Sequence, residues 1–217
     1  MKTFLSIGSG PGMGFATAER FAKEGFRVVL SARDQVKAEN LARQLNAKGY
    51  EAEARSVDSG NPEGVAGLVA DVEKQIGPID VLHYNAASMR KATITEQPRD
   101  SFNGDLTVNI GGALVAAQAV IPKMSERGAG SILLTGGGFA LEPNPDYLSL
   151  SIGKAGIRAL AYGLFESLKA KGVHVATVTV TAFVDPGSNA AEAVADRFWK
   201  LHNQQKGEWT VESTYIG

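Results

Sequence analysis

The chain has 217 residues, 44% of them hydrophobic and 21% charged, with 22 basic against 23 acidic side chains and a net charge of −1. That length suits one domain with ample chain to bury a core, and the near-neutral balance speaks against nucleic-acid or membrane-surface partners, which need a basic footprint. The absence of cysteine excludes disulfides and thiolate catalysis, and His83, His174 and His202 show no metal-ligand spacing, so no metal site is expected. No apolar run approaches the ~18 residues of a membrane span, and the segment after Met1 and Lys2 is too short for a signal peptide. A cytoplasmic location is therefore expected. Glycine is in excess, at 25 residues, against an average usage of roughly 7%.

Lys2–Ile7 (KTFLSI) reads as a short strand and Met13–Glu24 as a helix, with Phe15, Ala18, Phe21 and Ala22 on one side and Gly25 placed to end it. Phe26–Ser31 is a second strand, Gln35–Lys48 a helix ended by Gly49, and Tyr50–Val57 a third strand. Asn61 followed by Pro62 predicts a capped helix start, and the helix runs to about Ile76. Gly77 and Pro78 break it before a strand over Ile79–Tyr84. A long helix is predicted over about Arg99–Ser125, a strand over Ser131–Thr135, a helix over about Ser149–Lys171 and a β-branched strand over Val173–Val180. Ala190–His202 and Trp209–Thr214 close the chain as helix and strand. This alternation predicts an α/β fold: one doubly wound, mostly parallel sheet of Rossmann type with helices on both faces, forming a single dinucleotide-binding domain over residues 1–217.

The first turn, GSGPGMG, joins a strand to a helix and spaces Gly8, Gly12 and Gly14 as G-x-x-x-G-x-G. Glycines so placed allow a tight turn and let a pyrophosphate approach backbone N–H groups at the helix N-terminus. Gly8, Ser9, Gly10, Gly12, Met13 and Gly14 are accordingly the predicted phosphate-binding residues. A merely flexible loop is the plainer alternative, and the flanking strand and helix speak against it.

That spacing resembles the short-chain dehydrogenase/reductase family, whose loop reads T-G-x-x-x-G-x-G, with Ile7 here in the threonine's place. The resemblance extends over almost the whole chain. Asp58 matches the family's adenine-contacting aspartate, Tyr84 to Ala87 (YNAA) occupies its N-N-A-G position, Asn109 matches its active-site asparagine and Lys154 the lysine of Y-x-x-x-K. The resemblance implies a nicotinamide cofactor, with Asn85 and Ala86 beside it and Lys154 on its ribose. The second strand ends LSARD, with no acid at its immediate end, and Arg33 is suited to a 2′-phosphate through its planar fork. NADP(H) is therefore expected rather than NAD(H), although Asp34 adjoins that arginine.

The family's catalytic pattern is broken. Counting back from Lys154 puts Leu150 where the family has its proton-donating tyrosine and Gly137 where it has its carbonyl-polarising serine. Asn109 and Lys154 remain as catalytic candidates. Three neighbours are candidate substitutes: Tyr147, about 10 Å from Lys154 along a helix axis; Ser151, one turn away; and Thr135, two residues from Gly137. Two of them also have a plain structural reading, capping for Ser151 and core packing for Thr135. After Val180 the chain reads TAFVDPG, with Pro-Gly later than in the family; Ala182 and Val184 are the candidates for backbone contacts to the nicotinamide.

Two functions stand. One is an atypical NADP(H)-dependent oxidoreductase on a small carbonyl or alcohol, its substrate unidentified. The other is a catalytically inactive NADP(H)-binding sensor or partner subunit. The resemblance also implies a homodimer or homotetramer through the two long helices; Gly111, Gly112, Ala113, Ala116 and Ala117 serve either such an interface or helix–sheet packing. No nucleic-acid or membrane partner is expected.

Overall fold

Seven strands and seven principal helices alternate along the chain, and a computed structural model describes all 217 residues. In order they are β1 (Thr3–Ile7), α1 (Met13–Lys23), β2 (Arg27–Ala32), α2 (Gln35–Ala47), β3 (Ala52–Ser56), α3 (Pro62–Gln75) and β4 (Ile79–Tyr84). There follow α4 (Ser101–Leu106), a π turn over Thr107–Gly111, α5 (Gly112–Arg127), β5 (Gly130–Thr135), α6 (Leu148–Lys169), β6 (Val173–Val180), α7 (Asn189–His202) and β7 (Glu212–Tyr215). The strands form one sheet in the order β3-β2-β1-β4-β5-β6-β7, with every pair parallel. This is the Rossmann-type doubly wound sheet expected from the alternation.

Two apolar cores sandwich the sheet. Val65, Leu68 and Val72 of α3, Ala113 and Ala116 of α5, and Ile157 and Ala161 of α6 pack on one face. Ala18 and Phe21 of α1, Leu41 and Leu45 of α2, and Val194 and Phe198 of α7 pack on the other. With both faces covered, a central strand such as β6 is buried at all eight positions, and a continuous β-branched run suits it better than alternation. Local chemistry sets the ends: Asn61 accepts from Gly64 N at 3.2 Å at the start of α3, while Gly25 and Gly49 take φ of +83° and +86° after α1 and α2.

The predicted helix over Arg99–Ser125 divides in the structure. The π turn admits an extra residue per turn, and there Asn109 lies against Gly153 of α6, where a Cβ would come within 2.3 Å of the Asn109 Cβ. Ser101–Arg127 is, contrary to the sequence reading, long and apolar enough by length and composition to cross a membrane, one 18-residue window of it having a mean hydropathy of 1.3. Part of that apolarity faces inward: Gly112, Ala113, Ala116, Ala117 and Val120 are buried, and a Cβ on Gly112 would lie 2.4 Å from the Tyr84 hydroxyl. These small residues therefore serve helix–sheet packing within the chain. The last strand starts at Glu212 rather than Trp209, because Trp209 stacks on His174 and Thr210 N is bonded to the Gln204 side chain.

Because β1 lies between β2 and β4, successive connections from it diverge to opposite sides. The crevice at the carboxyl ends of the strands is where such a sheet binds ligands.

Candidate functional site

A cleft of about 1450 Å³ occupies that crevice. Its walls run from Gly10 and Arg33, past Asp58 and Asn85, to Lys154 and Ala182. Roughly 300–1,000 Å³ suffices for a drug-sized ligand, so there is room for a dinucleotide.

The glycine loop is fixed from beneath. Gly8 N and Ser9 N both donate to Ser31 O, at 3.0 and 2.8 Å, and the buried Ser9 hydroxyl donates to Ser6 O and accepts from Ser31 N. Gly8 has φ +87°, and a Cβ there would strike Ala86 N at 2.3 Å; only glycine fits between the ends of β1 and β4. Gly10 has no atom within 4 Å of a Cβ position and faces the cleft with Ser9 and Met13. Gly12 and Gly14, grouped with them from the sequence, do not line the cleft: Gly14 lets α1 approach Asn85 and Ser9, and Gly12 lies under Val184 and Pro186. At the start of α1, Phe15 N and Ala16 N reach back to Gly10 O and Gly12 O. The amides before them have no preceding turn to bond and suit an anion.

Arg33 and Asp34 are adjacent, but the backbone separates their roles. Asp34 caps α2, accepting from Lys37 N at 3.1 Å and pairing with the Lys37 ammonium at 3.5 Å. That backbone bond and the lysine hold its carboxyl below the usual range. Arg33 is exposed and lines the cleft. Asp58 lines it too, with one oxygen accepting from Gly60 N at 2.9 Å.

At the far end, Gly137, Leu150 and Lys154 share one wall. Lys154 Nζ donates to Thr135 O at 2.7 Å. Gly137 is extended at φ −168°, and a Cβ on it would stand 3.2–3.4 Å from the Lys154 stem. Burial pushes the Lys154 ammonium down to about 8.

The other catalytic candidates are engaged elsewhere. Asn109 is buried off the cleft wall, accepting from Ser88 N at 2.6 Å and donating to Ser88 O at 3.2 Å. Tyr147 stacks on Phe139 just ahead of α6 and does not line the cleft. Ser151 is likewise off the wall, its buried hydroxyl bonded around Asn144 and Tyr147 O. Thr135 does line the cleft, but its hydroxyl donates to Asn85 Oδ1 at 2.9 Å and meets His83 Nε2 at 3.2 Å. Ala182 lines the cleft, whereas Val184 packs on the α1/α7 core instead.

Two buried polar groups were not singled out from the sequence. His83 joins Ser6 Oγ (3.2 Å) to the Thr135 hydroxyl, and Asn85 Nδ2 continues the chain to Gly8 O at 2.9 Å. Since the Thr135 proton goes to Asn85, the geometry makes His83 Nε2–H the donor and Nδ1 the acceptor; burial holds this histidine neutral, down to about 3. Asp105, also buried, gathers Ser88, Arg90, Gln97 and Ser149 around one carboxylate. Burial pushes that carboxyl up, but the bonds from Arg90, Ser88 and Ser149 outweigh it and leave it below the usual range. Asp105 thus pins the irregular segment after β4 to the start of α6. An aspartate between Gly104 and Leu106 offers no sequence signal of this.

A sequence model of the family described as short chain dehydrogenase matches residues 2–195. An uncharacterized oxidoreductase of Staphylococcus aureus (strain USA300) is 30% identical over 196 residues, covering 90% of this chain and 84% of that protein. Among solved structures, a short-chain dehydrogenase from Rhodopseudomonas palustris shares 26% identity with a TM-score of 0.90, over 100% of this chain and 98% of that one. A metagenomic short-chain oxidoreductase in complex with NADP shares 25% identity with a TM-score of 0.89, over 98% and 95% of the two chains.

Proposed function

From its membership of the short-chain dehydrogenase/reductase family, we propose that the chain is an NADP(H)-dependent oxidoreductase acting on a small carbonyl or alcohol, with a degenerate catalytic set. One observation carries this reading: a single cleft joins the glycine loop and Arg33 to Lys154. Its donors suit the dinucleotide, with backbone amides at Gly10 and Met13 for the pyrophosphate and the Arg33 guanidinium for a 2′-phosphate. Asp34, turned to α2 and Lys37, does not contest that phosphate. The metagenomic neighbour solved with NADP supports the same choice. When bound, the reduced dinucleotide supplies a hydride. Asp58, Asn85, Ala86 and Ala182 complete the wall that would hold it.

A second reading has its own support. Gly137 and Leu150 carry no proton donor at the reacting end, which favours a protein that binds NADP(H) without turnover. A fluorescence titration with NADPH and NADH, followed by NADPH oxidation with a carbonyl panel, separates the two. Preferential NADPH binding with turnover supports the oxidoreductase, and binding without turnover supports the sensor.

A further inference from the structure

Resting on the oxidoreductase reading, we infer that Lys154 is itself the general acid, giving a proton from its ammonium to the carbonyl oxygen of the substrate. Other hydroxyls on the wall are committed, Ser88 to Asp105 and Thr181 to Tyr215 O. Gly137 and Leu150 have no hydroxyl, Asn109, Tyr147 and Ser151 do not line the wall, and the Thr135 hydroxyl is taken by Asn85 and His83. The other ionisable groups on the wall are placed differently. Arg33 and Asp58 follow β2 and β3, across β1 and β4 from this end; Arg90 is paired with Asp105; Glu142 is exposed.

Gly137 supplies the space. Its missing Cβ lets the lysine stem pass close by, 3.2–3.4 Å from where a Cβ would stand. The surrounding charges leave the ammonium proton free to transfer. From β4, His83 reaches Thr135 but is neutral. Asp105 is bonded to Arg90, and from β7 Glu212 is held by Arg158 and Tyr162, further along α6. The protein partner of Nζ is a neutral carbonyl, and burial brings the ammonium to about 8, close to working pH, where general acids act best.

The carbonyl carbon accepts the hydride of the reduced dinucleotide, which leaves oxidised, while the oxygen accepts the Lys154 proton to give the alcohol. The neutral amine then regains a proton from water.

The test compares wild type, Lys154→Arg and Lys154→Met at saturating NADPH from about pH 6 to about pH 10, with 9,10-phenanthrenequinone and 2,3-butanedione as probes. NADPH binding is followed by fluorescence, and the lysines of the cofactor-free protein are titrated by 13C NMR after reductive methylation. In wild type, kcat is expected to fall about tenfold per pH unit above about 8. At NADPH concentrations that saturate each variant, Lys154→Met should lose about 10²–10⁴-fold in kcat and Lys154→Arg should lack the break. One lysine resonance should titrate near the same pH and be missing from Lys154→Arg. Wild-type turnover by Lys154→Met, a profile without that break, or no lysine titrating below the ordinary range overturns the proposal. So does NADPH binding without oxidation by either probe. Failure to bind NADPH at all overturns instead the cofactor reading on which it rests.

Discussion

The Lys154 ammonium and the Thr135 carbonyl are joined by a 2.7 Å hydrogen bond. This bond ties α6 to the end of β5. The Thr135 hydroxyl extends the connection through Asn85 to Gly8 O, and so to the glycine loop. The two ends of the cleft are thereby linked through one polar chain lying in the sheet. Buried polar groups are tolerated when every member is satisfied, and here His83 and Ser6 complete the set.

We propose that Arg33 carries the cofactor preference. Charge-assisted hydrogen bonds contribute about 1.5–3 kcal/mol. Arg33→Ala is therefore expected to weaken NADPH binding by about 10- to 100-fold and leave NADH binding within about twofold. Isothermal titration of both dinucleotides against both proteins checks this. Equal losses for the two would remove Arg33 from 2′-phosphate recognition.

His83 should make stability depend on pH. Its folded pKa lies at about 3, below the ordinary 6.5, so between those values the unfolded chain binds more protons. Stability is then fully present above about 6.5 and declines as pH falls toward about 3. His202, pushed by burial to about 4, and His174, also lowered, add slopes of the same sign. Urea unfolding across this range should show a shallower decline for His83→Gln than for wild type. Identical slopes would contradict a buried, neutral His83.

Gly137→Ser with Leu150→Tyr tests whether hydroxyls at these two positions raise turnover. The extended backbone at Gly137 accepts serine without strain, but its Cβ meets the Lys154 stem, so the lysine must shift. A positioned acid contributes about 10²–10⁴-fold. The double variant is expected to raise kcat by at least about tenfold and to move the high-pH limb away from the Lys154 value. An unchanged rate in a folded, NADPH-binding variant would show that more than two side chains separate this site from the family pattern.

Much of the fold was legible because its signals are local. The strands over Ile79–Tyr84 and Val173–Val180 fall where their apolar runs lie, and Gly25, Gly49 and Asn61 mark helix ends through their own backbone chemistry. The site was legible only in part. The sequence shows Asn109 at a family position, but not that its side chain turns to Ser88, 21 residues away. Asp105 and His83 take their roles from partners on other elements, 44 residues away for Ser149 and 52 for Thr135. The division between Arg33 and Asp34 is decided by a helix cap, and only the backbone path shows which of them faces the cleft.

Oxidoreductase activity itself is tested most directly by following deuterium from [4-2H]NADPH, labelled in turn on each face, into the products of a carbonyl panel by mass spectrometry. A deuterated alcohol from one labelled face and not the other is expected. NADPH bound by the protein, with no deuterium carried into any product, would contradict the oxidoreductase reading and leave a binding protein.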